Sequence, residues 1–234
     1  AACPDCSREQ LNEAVAAAER ALPAWRRDLE GRRAALVRCA EALEARAQEL
    51  APVLMHEQGK PLQRAVEEIY GAAVWFRSNA ALPLEDEVLK ETPEQRVELR
   101  RRPLGVVAGI TPWNFPVLLA VWKIAPALLA GNTFVLKPSP YTPLSSLKLG
   151  EVLRDVLPAG VFNVVSGGDA LGAWLTEHPA VRKISFTGSV ATGKKIAAAA
   201  APDLKRVTLE LGGNDPAIVL KDANAKQIAE KLFW

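Results

Sequence analysis

Four short motifs of unusual composition follow one another along the chain, and each lies at the end of a segment that reads as a buried strand. They are TPWNF at 111–115, LKPSP at 136–140, FTGS at 186–189 and LELGG at 209–213. Open α/β sheets bind their ligands just outside the carboxyl ends of their strands. The four motifs therefore predict a single crevice, and their residue types suit a nucleotide bound beside a reacting carbonyl group.

Two side chains in these motifs have the chemistry of catalysis at a carbonyl carbon. Asn114 lies in a proline-bounded loop, where its amide could donate a hydrogen bond to a developing oxyanion. Glu210 has leucine neighbours that would raise its carboxyl pKa, as suits a general base. Each has a simpler interpretation: a turn asparagine that bonds its own backbone, and a glutamate facing outward from an alternating strand.

Three further positions have the character of a nucleotide site. Lys137 ends the second predicted strand, where dinucleotide folds usually carry an acid on the adenosine ribose. A lysine would instead donate to ribose hydroxyls or attract a 2′-phosphate, unless it is simply solvated at a strand end. Gly168 and Gly172 follow the next strand and would let a ligand approach the backbone, or would form ordinary strand-to-helix turns.

A near-match to a phosphate-binding loop, GSVATGK, covers residues 188–194 between a predicted strand and a predicted helix. The P-loop pattern requires a serine or threonine next, to hold Mg²⁺, and this chain has Lys195 instead. We therefore disfavour a P-loop NTPase. The free amides at a helix start still predict an anion site here.

The periodicity of residues 104–234 predicts alternating strands and helices. The predicted strands are 104–110, 133–136, 161–165, 183–186, 207–211 and 217–220, and the predicted helices are 117–130, 144–156, 170–177 and 192–200. Nearly continuous apolar strands separated by helices are typical of a parallel sheet covered on both faces. We predict an α/β fold with a Rossmann-like parallel sheet and helices on both of its faces.

The first part of the chain has a different pattern. Apolar residues recur at helical spacing between residues 7 and 81, with a turn at the GKP sequence of 59–61. The alternation at 96–100 predicts a half-exposed strand that needs a partner, such as a projecting arm that pairs with another subunit. The predicted regions are an amino-terminal helical region at 1–84, a β-arm at 85–103 and a dinucleotide-binding domain at 104–234.

Composition and charge exclude several classes of protein. The 234 residues have a net charge of +2 with interspersed signs, which disfavours a nucleic-acid partner, and the arginine run at 100–102 is too short to change this. Three cysteines argue against a disulfide framework and indicate a reducing, cytoplasmic compartment, and the single CxxC at 3–6 predicts no metal site. Glycine and proline interrupt the uncharged stretch 103–122, so we expect no membrane span.

Taken together, TPWNFP, KPS, FTGS followed four residues later by Gly193, and LELGG resemble the aldehyde dehydrogenase superfamily in order and approximate spacing. The resemblance implies oxidation of an aldehyde to a carboxylic acid with NAD or NADP, through a cysteine thiohemiacetal and a thioester. Asn114 matches the family's oxyanion donor, and Glu210 matches the general base that activates the deacylating water. The positions that match its cofactor cleft are Thr111, Pro112, Trp113, Lys137, Ser139, Pro140, Gly168, Gly172, Gly188, Ser189 and Leu211.

The resemblance also implies partners for the protein. The substrate is a small-molecule aldehyde, and the apolar side chains of Val117, Leu118 and Val121 suggest that it is hydrophobic. The strand at 85–102 matches the interlocking β-arm of the family, which implies a homodimer or homotetramer.

Two departures from the family pattern bear on function. NAD-preferring members commonly have a glutamate where this chain has Pro140, so we expect NADP⁺ to be accepted as readily as NAD⁺. The family's cysteine nucleophile follows the LELGG glutamate, and the chain ends before reaching it, while Cys3, Cys6 and Cys39 match no catalytic position. We interpret the chain as the amino-terminal part of a dehydrogenase, inactive alone. The alternative is a non-catalytic dinucleotide-binding or assembly module on the same scaffold.

Overall fold

The computed structural model describes residues 3–232, apart from the side chains of residues 230 and 231. The helices are α1 Arg8–Trp25, α2 Leu29–Ala45, α3 Ala47–Gln58, α4 Leu62–Ala80, α5 Leu118–Leu129, α6 Leu144–Arg154, α7 Asp169–Glu177, α8 Val190–Ala200 and α9 Ala225–Leu232. The strands are β1 Glu87–Glu91, β2 Arg96–Leu99, β3 Val106–Ile110, β4 Thr133–Lys137, β5 Phe162–Val164, β6 Val181–Gly188 and β7 Arg206–Leu211. The predicted α/β fold is confirmed.

Within the described residues, a parallel sheet of five strands forms the centre of the fold, in the order β5-β4-β3-β6-β7. Ile110, the last residue of β3, is in register with Lys137 at the end of β4 and with Phe186 near the end of β6. Gly188 on β6 faces Leu211 on β7 in the same way. The four motifs therefore lie along one edge of the sheet, as the sequence predicted.

Alternate residues of each strand point to opposite sides of the sheet, so the apolar strands present two apolar faces. Helices cover both of these faces. Val107 packs with Phe134 and Leu136 in a core that includes α2 to α6. Val106 and Ala108 face the other way, into a core that includes α1, α7 and α8. The amino-terminal helices are thus shared between the two faces, and the proposed boundary at residue 84 remains a prediction.

Cys39 on α2 is fully buried in the first of these cores. Burial raises the pKa of its thiol to about 12, because an apolar environment disfavours the thiolate. The thiolate is the reactive form of cysteine, so Cys39 is a packing residue and not a nucleophile.

Helix α5 is held at both ends by charged side chains from the amino-terminal helices. At its start, the Glu68 carboxylate of α4 accepts the N–H groups of Val117 and Leu118, at 2.9 and 3.1 Å. At its end, the guanidinium of Arg32 on α2 donates to the Leu129 carbonyl at 2.8 Å. An anion at the start of a helix and a cation at its end both complement the helix dipole. The start of α5 is also where the loop after β3 ends.

The start of α6 is capped in the same manner from α3. The Glu57 carboxylate accepts the N–H groups of Leu144 and Ser145, the latter at 3.0 Å, and the Ser145 hydroxyl at 2.6 Å. The N-cap residues that precede α5 and α6 are Val117 and Pro143, and neither side chain caps its helix. The two helices that follow β3 and β4 therefore take their caps from distant parts of the chain.

Of two further strand predictions, the exposed strand at 96–100 that needs a partner is confirmed, with its partner in the same chain, and the strand at 217–220 was wrong. The predicted single strand at 96–100 is one half of an antiparallel hairpin, in which β1 pairs with β2 around a turn closed by a Thr92 to Gln95 hydrogen bond. The predicted strand at 217–220 has no regular secondary structure, and Ile218 is 82% exposed. A strand needs a neighbour for its backbone hydrogen bonds, and within residues 3–232 nothing pairs with this segment. Among the same residues, no helix is long and apolar enough to cross a membrane.

We predict that Gly109→Ala destabilises the fold. A Cβ added at Gly109 in β3 would lie 2.4 Å from Cζ of Phe134, whose ring is fully buried and packs against Phe162. Overpacking of this kind costs about 1–3 kcal/mol of unfolding free energy, measured by urea denaturation. Gly71→Ala on α4 is the control, because the nearest atom is 3.6 Å away and alanine favours a helix. Equal stability of the two variants would contradict this packing.

Candidate functional site

Two adjoining cavities open at the carboxyl edge of the sheet, on either side of the end of β3. The larger has a volume of about 1000 Å³ and is lined by side chains that include Asn114, Lys123 and Glu210. The smaller has a volume of about 330 Å³ and is lined by residues that include Lys137 and Gly172. Ile110 lines the smaller cavity and Pro112 the larger, so Thr111 lies at the boundary between them.

The Asn114 side chain has its amide oxygen occupied and its amide nitrogen free. Oδ1 accepts the N–H of Phe115 at 3.1 Å, while Nδ2 has no partner among the described residues, and the residue is exposed at the larger cavity. The turn interpretation and the donor interpretation therefore hold together, because the local hydrogen bond fixes the amide group. What remains is an unpaired N–H donor on a residue that lines the cavity, which suits an oxyanion.

The Glu210 carboxylate lines the same cavity from the opposite wall. It lies near the end of β7, in register with Thr187 of β6. Its neighbour Leu209 packs against the core on the α8 side, so alternation along the strand turns Glu210 to the cavity. An exposed carboxylate that lines a cavity is able to accept a proton from a water molecule there.

Lys123 of α5 is a member of this site that the sequence analysis missed. It is only 8% exposed, and its Nζ donates to Oγ1 of Thr187 at 2.6 Å. Burial lowers the pKa of its ammonium group to about 8, while the nearby Glu210 carboxylate opposes that shift. The signal was in the sequence, because Lys123 is the only charged residue between Arg102 and Lys137.

Lys137 is buried at the edge of the smaller cavity, so the interpretation of a solvated strand-end lysine was wrong. It is 4% exposed, and its Nζ donates to the Pro138 carbonyl at 3.2 Å. Burial lowers the pKa of its ammonium group, and the charges of Asp169 and Asp5 oppose that shift. A buried cation beside a cavity is suited to bind ribose hydroxyls or a phosphate.

Two polar features lie at the boundary between the two cavities. The hydroxyl of Thr111 is buried and has no hydrogen-bond partner within residues 3–232, which marks a donor and acceptor position that a ligand could satisfy. Ser189 lines the larger cavity and caps α8 by accepting the Thr192 N–H at 3.2 Å, and Thr192 lines the smaller cavity, so α8 begins between the two. Helix starts of this kind bind anions.

The other predicted cofactor residues lie around this edge, and their roles stay predictions. Pro112, Trp113, Gly188, Ser189 and Leu211 line the larger cavity, and Gly172 the smaller. Gly168 begins α7 next to Asp169 of the smaller cavity, with open space where a side chain would stand. Ser139 and Pro140 line neither cavity; they lie in the loop after β4, where the Ser139 hydroxyl accepts the Tyr141 N–H.

The apolar wall of the larger cavity differs from the one predicted. Val117 and Val121 are fully packed in the core, because they lie on the face of α5 that meets the amino-terminal helices, and Leu118 packs beside α4. The opposite face of α5 supplies Leu119 and Trp122 instead, and the Trp122 ring lies 5.3 Å from that of Trp75 on α4. The sequence analysis missed both tryptophans.

Among the residues that the structure describes, no group of three or more histidine, cysteine, aspartate or glutamate side chains is placed to hold a metal ion. Cys3 and Cys6 are free and partly buried.

A parallel α/β sheet with two cavities and a helix start at its carboxyl edge is the arrangement found in nucleotide-binding α/β proteins. Comparison with known proteins gives the family. The model of the aldehyde dehydrogenase family matches residues 1–234, and a probable aldehyde dehydrogenase of Pseudomonas sp is 43% identical over 233 residues. This chain belongs to the aldehyde dehydrogenase family.

Solved structures agree with this assignment. An NADP-dependent enzyme of E. coli superposes with a TM-score of 0.92 at 41% identity, and the enzyme PnpE in complex with nicotinamide adenine dinucleotide does so with a TM-score of 0.92 at 40% identity. Each alignment covers 97% of this chain and 48% of the solved chain. The alignment with the Pseudomonas relative covers 99% of this chain and 48% of the relative. The chain therefore spans about half the length of the relatives that it matches.

The depressed pKa of Lys123 predicts a pH dependence of stability. Below pH about 8 the lysine is charged in the folded and unfolded chains, so the full cost of burying the charge opposes folding. Between pH about 8 and its ordinary pKa of 10.5, the folded chain releases the proton while the unfolded chain keeps it, so the free energy of unfolding rises. We expect a rise of about 2 kcal/mol relative to Lys123→Met, by urea denaturation at pH 7 to 10. Parallel pH profiles for the two proteins would contradict the burial of this charge.

Proposed function

We propose that this chain is the cofactor-binding part of an NAD(P)-dependent aldehyde dehydrogenase, in which a cysteine outside residues 1–234 supplies the nucleophile. The observation that carries the proposal is the larger cavity, where the free amide of Asn114 and the carboxylate of Glu210 face the same space. The buried thiol of Cys39 lies in the helical core, and Cys3 and Cys6 do not line this cavity.

The residues of the cavity account for two steps of the reaction. When the thiolate adds to the aldehyde carbon, the carbonyl oxygen becomes an oxyanion, and the Asn114 Nδ2–H donates to it. A nicotinamide bound in the cavity would accept the hydride that leaves the same carbon, so that the thiohemiacetal becomes a thioester. Glu210 then accepts a proton from the water that attacks the thioester, and the carboxylic acid and free thiol are released.

Lys123 positions Glu210, the proposed base, through its neighbour Thr187. Its ammonium group binds Thr187, the residue that faces Glu210 across the β6–β7 ladder, and so fixes the end of the strand pair. Its positive charge also attracts the carboxylate of Glu210. The two groups together keep the base oriented toward the cavity.

The smaller cavity would hold the adenosine half of the cofactor. Lys137 is buried at its wall, and Thr192 and Lys195 line it from α8. With Pro140 in place of an acid, no carboxylate of that loop repels a 2′-phosphate, so we propose that the enzyme accepts NADP⁺ as well as NAD⁺. Among similar proteins, the E. coli enzyme is NADP-dependent and PnpE binds nicotinamide adenine dinucleotide.

The wall of the larger cavity favours an apolar aldehyde. Trp75, Trp122 and Leu119 face the space beside Asn114, and tryptophan rings bind aromatic and aliphatic groups over a large contact area. The substrate class that we propose is therefore an aldehyde with an aromatic or aliphatic side chain.

The hairpin of β1 and β2 supports the proposed assembly into a homodimer or homotetramer. Val88, Leu89, Val97 and Leu99 are all more than 40% exposed on two short strands outside the main sheet. Exposed apolar side chains on an unpaired strand edge favour contact with another subunit. The free thiols of the described chain are consistent with the cytoplasmic location that we propose.

Substitutions at Asn114 and Glu210 separate the two chemical roles in the full-length enzyme. Asn114→Ala should lower kcat for aldehyde oxidation by about 10²–10³, because it removes the oxyanion donor. Glu210→Gln should leave a rapid burst of one NAD(P)H per site and slow the turnover that follows, because only deacylation requires the base. Glu67→Gln, on the exposed side of α4, is the control. Stopped-flow absorbance of NAD(P)H measures both phases, and a wild-type enzyme without aldehyde-dependent reduction would disprove the function.

The role of Lys137 is tested by nucleotide binding to residues 1–234, without turnover. Lys137→Met should raise the Kd for NADP⁺ about tenfold by calorimetry, and the Kd for NAD⁺ by less, because a charge-assisted contact to phosphate is lost. Lys194→Met on α8 is the control, because Lys194 is exposed and does not line the smaller cavity. Equal losses for both nucleotides would contradict a contact to the 2′-phosphate.

A further inference from the structure

A buried ion pair lies directly beneath the loop that carries Asn114. Lys60 is in the turn between α3 and α4. It follows Gly59, which has a φ of +88°, and precedes Pro61, the N-cap residue of α4. Its Nζ donates to Oε2 of Glu68 on α4, and the two side chains are 9% and 0% exposed. Burial of two charges has a desolvation cost that their attraction often does not recover, so such a pair is better explained by the groups that it positions than by stability.

Each partner of the pair has a second set of contacts, and all of them lie in the Asn114 loop. The other oxygen of Glu68 accepts the N–H groups of Val117 and Leu118, which fixes the carboxyl end of the loop. The Nζ of Lys60 also donates to the Asn114 carbonyl at 2.9 Å and lies 4.1 Å from the centre of the Phe115 ring. The lysine of the pair therefore holds the Asn114–Phe115 peptide group through two contacts, one to the Asn114 carbonyl and one to the Phe115 ring.

The direction of the Asn114 amide follows from this peptide group. Oδ1 of Asn114 accepts the Phe115 N–H at 3.1 Å, so this hydrogen bond ties the orientation of the side chain to that of the peptide group. Oxyanion stabilisation depends on a donor fixed where the charge develops, and a small misplacement of a catalytic group costs much of its effect. The ion pair touches neither the substrate position nor the cofactor position, since neither Lys60 nor Glu68 lines the two cavities.

We propose that Lys60 and Glu68 are positioning residues, which orient the Asn114 amide toward the oxyanion by fixing the loop on which it stands. This inference rests on the proposed function for the identity of the oxyanion. It assigns to the GKP turn, which the sequence analysis noted only as a link between helices, a role in the rate of the reaction.

A double-mutant cycle in the full-length enzyme tests this role. Glu68→Gln should lower kcat at least tenfold, with the Kd for NAD(P)⁺ changed by less than twofold, because the cofactor residues are elsewhere on the sheet edge. In an Asn114→Ala background the same substitution should change kcat by less than twofold, because the group that it positions is already absent. Equal losses in both backgrounds would overturn the proposal, since a general structural role would act without Asn114.

If Glu68→Gln does not fold, Lys60→Met takes its place in the same cycle. That variant keeps the Glu68 cap on α5 and removes the contacts to the Asn114 carbonyl and the Phe115 ring. We again expect a loss of kcat in the Asn114 background and almost none in the Asn114→Ala background. Equal losses in both backgrounds would overturn the proposal. Glu67→Gln is the matched control, because it alters the adjacent carboxylate, which pairs only with exposed groups of its own helix.

Amide hydrogen exchange gives a readout that needs no turnover. Glu68→Ala removes the side-chain acceptor and should speed exchange at Val117 and Leu118 at least tenfold, while Glu67→Gln leaves both rates unchanged. If the wild-type enzyme oxidises no aldehyde, the proposed function fails and the exchange rates still decide whether Glu68 holds the loop. Unchanged exchange in Glu68→Ala would overturn the positioning role in either case.

Discussion

The parallel register of β3 with its two neighbours is the constraint on which the site depends. Ile110 lies beside Lys137 on one side and Phe186 on the other, so the loops after β3 and β4 leave the sheet at the same level, and β6 continues two residues further, to Gly188. In a strand whose side chains alternate between two buried faces, a shift of one residue would exchange the two cores. Such a shift would also separate Thr111 from the end of β4, where its N–H donates to the Lys137 carbonyl at 3.2 Å. Packing and function thus fix the same register.

Buried charges surround the site and are each held by specific partners. Lys123, Lys137 and Glu68 are all less than 10% exposed, and each donates or accepts a hydrogen bond within the fold. Transfer of a charge from water to a protein interior is costly, and for the lysines the cost is visible as a lowered pKa. Stability alone would favour apolar residues at these positions. Their presence is consistent with a sequence in which orientation of groups at the sheet edge has outweighed stability.

The sequence predicted the fold class and the edge at which the motifs meet, because strand ends and helix starts are marked by local residue types. It placed Asn114, Lys137 and Glu210 at this edge correctly. It did not predict which face of α5 meets the cavity, because Val117 to Trp122 are all apolar and only the packing of the amino-terminal helices distinguishes them. The strand predicted at 217–220 failed for a related reason, since strand structure requires a pairing partner that local sequence does not specify.

The caps that Glu57 and Glu68 place on α6 and α5 come from helices more than 45 residues earlier in the chain. Exchange of segments between related enzymes is commonly planned at the boundary between a helical region and a sheet domain. In this protein a junction near residue 84 would separate both carboxylates from the helix starts that they cap. A hybrid with a foreign amino-terminal region would keep every residue of the sheet edge, yet would leave those helix starts without their acceptors. The natural unit of exchange therefore extends from α3 through α6, across the apparent boundary.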